Sequence, residues 1–554
     1  MAAHALYEEA GNLPTRVHVT RILSQIRPFR VMIDGSALMV SDPAAYSLIH
    51  KEFTVTVSKT NYIHSRNGHI GGPGIDHGPA DVDAIIAAIK VSGKKRLIIH
   101  FHGGLVSKAS ALGIAETLMP VYSAGGYPLF FVWESGPWET IRNNLGDIAK
   151  EPIFQELVRK LLEYALGKVG AQVGARTIAA NVVDPEEVKA WVRAFFDNPV
   201  ANPVPYADAK ALESRATRAV DPAIDENEIQ MDLEQDADFV RALQSIADVP
   251  AATRGTAGVG AVQPQPTKID PTVLAEIAPP QPDTPRGLFS MVSVSIRVAK
   301  VLATIVKRFL DDRDHGFYAT VVEEVLRGFY GDMIGKTFFW NQMKKDTQDA
   351  FGGDENVHAG TAFLARLKAA MGNGLSLERI FLVGHSTGGI YISHLLEAVD
   401  AMHFDPAVKF DVVMLAPANT HKLFDETIAK HGARIRWMRM FAMKDAVERN
   451  DGLLGDDWKR AFYPSSLLYF VSGLLEDDPD MPLVGMQRFN VGAIFTAPTY
   501  PECDTLRSWL GAPDHRLVWS IADNGDGCRS RSRTHGNFDN DPDTLASLSW
   551  IVAH

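Results

Sequence analysis

One segment constrains this chain more than any other. Arg379-Ile-Phe-Leu-Val runs into Gly384-His385-Ser386-Thr387-Gly388-Gly389, and an apolar stretch beginning Ile390-Tyr-Ile follows. A short, continuous apolar run stopped by glycine reads as a strand buried on both faces, and the stretch after the glycines reads as a helix. Such a strand needs helices on both faces of its sheet, the arrangement of parallel α/β domains. Similar runs recur at Leu97–Phe101, Leu129–Trp133, Val412–Leu415, Ile435–Met443 and Leu517–Ile521, with helical patterns separating them. The expected fold class is α/β, a mostly parallel central sheet flanked by helices.

With 554 residues the chain exceeds one ordinary domain of roughly 100–200 residues. Four regions are expected along it. Residues 1–90 form an N-terminal extension with strand-like runs such as Phe53–Val57, a glycine-rich loop at Gly68–Gly74 and a short helix near Ala80–Lys90, with its strands packing on the core. Residues 91–136 hold the first strand–helix–strand unit of the core. Residues 137–375 break that rhythm: they are helical by pattern at Phe154–Leu166, Pro185–Phe196, Phe239–Ile246 and Phe289–Leu310, with an Ala/Pro/Thr/Gly/Gln-rich linker near 250–287. Residues 376–554 resume the alternation of strands and helices.

Composition sets limits on function. Hydrophobic residues make up 46% and charged residues 22% of the chain, which leaves ample material for a packed core. The net charge of −12 argues against a nucleic-acid partner, since phosphate binding needs a basic face. Two cysteines, Cys503 and Cys528, exclude a disulfide framework. The first residues lack the basic and apolar stretches of a secretory signal, and the Leu288–Leu310 stretch is interrupted by Arg297, Lys300, Lys307 and Arg308, so no integral membrane segment is expected. The expected localisation is cytoplasmic.

The glycines around Ser386 have a steric reason. A strand that turns sharply into a helix leaves no room for side chains at Gly384 and Gly388, and the turn lifts the serine hydroxyl clear of the sheet beside a helix N-terminus. The segment resembles the nucleophile elbow of the α/β-hydrolase superfamily, and Gly-His-Ser-x-Gly-Gly is similar to the form found in its lipases and esterases. The resemblance covers roughly residues 95–136 and 376–554 and leaves out the helical insertion and the first ninety residues.

A serine attacking a carbonyl creates an oxyanion that needs two positioned donors. The resemblance implies the N–H of Thr387 as one. The second is expected from His102-Gly103-Gly104-Leu105, at the end of the Leu97–Phe101 strand, with Gly104 preferred over Leu105. Among 18 histidines, His431 and His515 precede strands and lie at the wrong end of the sheet. His385 is expected to pack, and His394 lies two turns into the helix. His535 follows the last predicted strand and is the expected general base, with His421 as runner-up. The superfamily order of serine, acid, histidine points to Asp445, at the end of the Ile435–Met443 strand. Asp451 and Glu448 share its loop, and Glu476, Asp477 and Asp478 are weaker candidates.

Other signals point to ordinary structure. His64, His69 and His77 lack tight metal-ligand spacing. Asp523–Gly527 lacks the final glutamate of an EF-hand loop, and Gly68–Gly74 lacks the Gly-Lys-Ser/Thr ending of a phosphate loop. Glu134 is read as a rim residue, and the 289–310 helix as packed rather than membrane-facing. Together these readings give a serine hydrolase acting on a small-molecule or lipid ester, without metal or cofactor, with the insertion capping the site. The same triad would serve an amidase, a peptidase or a phospholipase; a non-catalytic interaction protein on the same fold is the rival class.

Overall fold

The computed structural model describes residues 30–33, 36–39, 57–134, 138–172, 224–247, 267–277, 290–311, 313–331, 340–453, 462–491, 500–511 and 516–554, and positions 190, 194, 195 and 198. The chain divides into two units, residues 1–57 and 58–554. In the first, strands β1 (Arg30–Ile33) and β2 (Ser36–Met39) form an antiparallel hairpin. The expected strand residues Phe53–Thr56, most of the Pro185–Phe196 helix, most of the 250–287 linker and His515 lie outside the described residues.

The second unit is built on a seven-stranded sheet of β3 (Tyr62–Arg66), β4 (Arg96–Phe101), β5 (Tyr127–Glu134), β6 (Arg379–His385), β7 (Phe410–Leu415), β8 (Ile435–Met443) and β9 (Leu517–Ser520). Every pairing is parallel, in the order β3-β5-β4-β6-β7-β8-β9. The apolar runs explain it: β5 and β7 are buried along nearly their whole lengths, as sheet strands covered on both faces must be. A short antiparallel pair, β10 (Ala522–Asp523) and β11 (Arg529–Ser530), follows.

The strand order carries a functional consequence. From β4 the chain crosses through the Lys108–Ser123 helix to β5 on one side; from β6 it crosses through the Gly388–Ala401 helix to β7 on the other. Right-handed crossovers put these helices on opposite faces. The carboxyl ends of β4 and β6 therefore mark the sheet's switch point, the place where open α/β sheets in general bind ligands.

The sheet's flanking layer reaches beyond the sequence boundaries at 90 and 375. Strand β3 pairs with β5, and the Pro79–Val91 helix packs against the Ala359–Gly372 helix, which in turn meets Gly388–Ala401. The insertion proper thus ends before residue 359. Its Pro152–Gln172 helix packs on Ala237–Ala247, Met291–Leu310 and Phe317–Phe329, and the last of these reaches residues 471–475 of the β8–β9 connection. Among the described residues no helix is long and apolar enough to cross a membrane.

Candidate active site

Register brings the two glycine-rich turns together. Phe101 of β4 lies opposite Gly384 of β6, so His102-Gly103-Gly104 leaves the sheet beside His385-Ser386-Thr387. A Cβ on Gly384 would stand 2.6 Å from the Gly388 carbonyl oxygen, and one on Gly388 would collide with the Phe101 carbonyl. Ser386 itself sits at φ 53°, a left-handed conformation that a non-glycine residue holds only under constraint. The constraint comes from both sides: the Ser386 N–H donates to the Leu415 carbonyl at 2.8 Å, and its own carbonyl accepts from Ala418 N at 3.0 Å.

The oxyanion candidates flank this serine. A Cβ on Gly103 would lie 3.3 Å from the Ser386 Cβ, and one on Gly104 would lie 2.7 Å from Thr387 Oγ1 and 2.8 Å from Met343 Sδ. The N–H groups of Gly104 and Thr387 donate no hydrogen bond to another described residue. Leu105, at φ 66°, has a further interaction of its own. His102 latches the loop: its ring lies over Trp133, Nδ1 donates to the Gly103 carbonyl at 2.6 Å, and Nε2 accepts from Trp133 N at 3.1 Å. Burial pushes its pKa down to about 4, which keeps the ring neutral and the tautomer fixed. In the sequence this histidine stands out only as part of the His-Gly loop; its latch depends on a tryptophan from the next strand.

The structure places His535 at the serine. Its Nε2 is 2.9 Å from Ser386 Oγ, across 149 residues of chain. Burial pushes its pKa down to about 3, with His385 acting in the same direction and Asp539 against it. The ring is therefore neutral and able to accept a proton. Its main chain is held at both ends: the N–H donates to Asp451 Oδ2 at 2.7 Å, and the carbonyl accepts from His385 Nε2 at 2.9 Å. The ring Nδ1 is buried without a hydrogen-bond partner among the described residues.

Asp445 is not brought to this histidine. Its carboxylate accepts from the Tyr469 hydroxyl and pairs with Arg449 at 3.1 Å. The short helix Asp445–Glu448 that follows β8 turns the side chain toward the β8–β9 connection and carries the chain back so that Asp451 reaches His535. Glu448 is fully buried, with burial first and Asp445 next pushing its pKa well up, and it contacts Ser466 rather than His535. Glu476 binds Trp340 Nε1 and Lys344. His421 is buried, with burial lowering its pKa to about 3, and lies against Phe489. Glu134 bonds His64 and Arg66 at the rim of β5. The described residues contain no group of three or more His, Cys, Asp or Glu side chains able to hold a metal. Compared with protein-family models, curated proteins and solved structures, the chain matches none.

Proposed function

We propose that this protein is a serine hydrolase of the α/β-hydrolase kind, cleaving a carboxylic ester through an acyl-enzyme on Ser386. The observation that carries the reading is the 2.9 Å contact between Ser386 Oγ and His535 Nε2 on a strained elbow at the sheet's switch point. In the proposed reaction His535 Nε2 takes the hydroxyl proton as Ser386 Oγ bonds to the substrate carbonyl carbon. The oxyanion is received by the N–H of Thr387 and of Gly104, neither of which donates to another described residue. His535 then gives the proton to the leaving alcohol, and a water deprotonated by the same nitrogen releases the acid and restores the serine.

We assign the orienting carboxylate to Asp451 instead of Asp445, because Asp451 already bonds the His535 main chain while Asp445 is committed to Tyr469 and Arg449. The Asn341–Asp349 helix, whose Met343 approaches Gly104, is the part of the insertion that we place over the bound acyl group. Esters are the first substrate class; amides, peptides and phospholipids share the chemistry.

A fluorophosphonate probe tests the reading directly. The expected result is covalent labelling of the wild-type chain and none of Ser386→Ala, together with hydrolysis of p-nitrophenyl esters that depends on chain length. Equal labelling of both proteins, or of neither, would overturn it.

A further inference from the structure

His385 and Asp539 stand beside this site without a part in the reaction just described. His385 ends β6, next to the nucleophile, and Asp539 follows His535 by one turn of loop. Both are buried, at 5% and 2% exposure. The two partners of His385 define its protons. The His535 carbonyl can only accept, so the His385 Nε2 at 2.9 Å carries hydrogen. The other nitrogen, Nδ1, faces Asp539 Oδ2 at 3.4 Å, and a bare nitrogen lone pair there would repel the carboxylate. Both nitrogens carrying hydrogen makes the ring an imidazolium paired with an aspartate.

We propose that the His385–Asp539 pair holds the main chain of His535, which makes His385 a positioning residue for the general base. The inference rests on the reading of His535 as that base. The imidazole can move only with its loop, and that loop is fastened at its carbonyl by His385 and at its N–H by Asp451. Misplacement of a base by about 1 Å lowers a rate by roughly 100-fold.

The charged and titratable groups facing His385 are His100 from β4, His102 from the turn after it, His535 and, beyond it, Asp539. Burial pushes the His385 pKa down and Asp539 pushes it up, and the balance leaves it above the ordinary value of 6.5. Burial drives His100 and His102 to about 3 and about 4, so both are neutral. His385 is thus the ring of this cluster on which a proton is favoured, and its contacts with the His535 carbonyl and Asp539 agree with that. Its deprotonation as pH rises turns a lone pair toward Asp539 and loosens the clamp. This predicts an alkaline limb in the rate above pH 6.5 that belongs to His385.

The test compares fluorophosphonate labelling rates against pH for the full chain and for His385→Leu, His385→Gln and Asp539→Asn. His385→Leu should label about 10- to 100-fold more slowly. His385→Gln retains an N–H for the carbonyl, so it should recover most of the rate and lose the alkaline limb. Asp539→Asn should move that limb to lower pH. Unchanged rates and limbs in all three would overturn the proposal, as would a glutamine variant no better than leucine with the limb unmoved in Asp539→Asn. Imidazole nitrogen NMR of Ser386→Ala, which needs no activity, supplies the second readout: His385 should carry two ring protons at pH 7, and a neutral ring would sink the pair. If the imidazolium is seen while the wild-type chain does not label, the hydrolase reading fails and the His385–Asp539 pair stands.

Discussion

At the switch point between β4 and β6 the Ser386–His535 pair is placed largely through main chain: Leu415 and Ala418 fasten Ser386, and two side chains grip the backbone of His535. Where the insertion meets the β8–β9 connection, side-chain ions do that work. Arg308 bonds Glu323 at 2.7 Å and Glu324 at 2.8 Å; His315 lies between Glu323 at 2.8 Å and Asp480 at 2.9 Å; and Tyr463 and Tyr500 donate to Glu323 and Asp480. All these carboxylates are buried. The difference teaches where each region is vulnerable. A site held by main chain depends on the space its glycines leave, whereas a buried ion cluster depends on every member being present, because a stranded charge cannot be rehydrated.

The largest expected effect is chemical and falls on the first region. Asp451→Ala should lower ester turnover by roughly 100-fold, because the His535 N–H loses the carboxylate that fixes the base. The loss should appear in kcat with little change in the melting temperature. A loss under tenfold would return the acid assignment to the other carboxylates.

Glu323→Gln attacks the second region. It removes the charge shared by Arg308 and His315, and breaking such a buried pair costs about 3–5 kcal/mol of stability. Burial alone would raise the Glu323 pKa, but His315 first and then Arg308 outweigh it and hold the carboxyl at about 2. A carboxyl lowered on folding stabilises the native state above its ordinary value of 4.5, and that contribution fades as pH falls toward about 2. Wild-type denaturation midpoints should therefore drop steeply over this acid range, with a shallower drop in the variant. Parallel curves would show that the cluster is not the acid-sensitive element.

Gly388→Ala returns to the sheet edge with a smaller stability effect. The added methyl meets the Phe101 carbonyl, an overpacking of about 1–3 kcal/mol that also pushes β4 away from the elbow. Urea midpoints and labelling should fall together. Normal labelling would mean that the elbow has slack the register does not suggest.

Legibility follows the same division. The elbow could be read because its requirement is local: a strand, glycines where no Cβ fits and a helix all lie within one short stretch. His535 could be read because parallel topology assigns loops to one edge. The His102 latch depends on Trp133, and the clamp on His535 depends on residues 84 and 150 positions away. The ion cluster joins His315 to Asp480 across 165 positions, and no pattern in either neighbourhood marks them as partners. Fold class follows from periodicity, whereas partner choice follows from loop paths that periodicity does not record.

Asp445 shows this limit, and it gives the smallest expected effect. The sequence places it just past the end of β8, at the carboxyl edge of the sheet, where the structure has it. What decides its role is the direction of one side chain, toward Tyr469 and Arg449. Tyr469 stacks edge-on against His315 with ring centroids 4.8 Å apart, so Asp445 belongs to the outskirts of the ion cluster. Asp445→Asn keeps the shape and an acceptor for the Tyr469 hydroxyl while weakening the pairing with Arg449. Ester turnover should change less than about threefold, a difference of roughly 0.7 kcal/mol in the barrier. The melting temperature should fall by only about 1 °C for each kcal/mol lost, because the unfolding entropy grows with the size of the folded unit. A variant that kept its melting temperature and lost turnover would move Asp445 from the second region into the first, and the boundary drawn between them would fall with it.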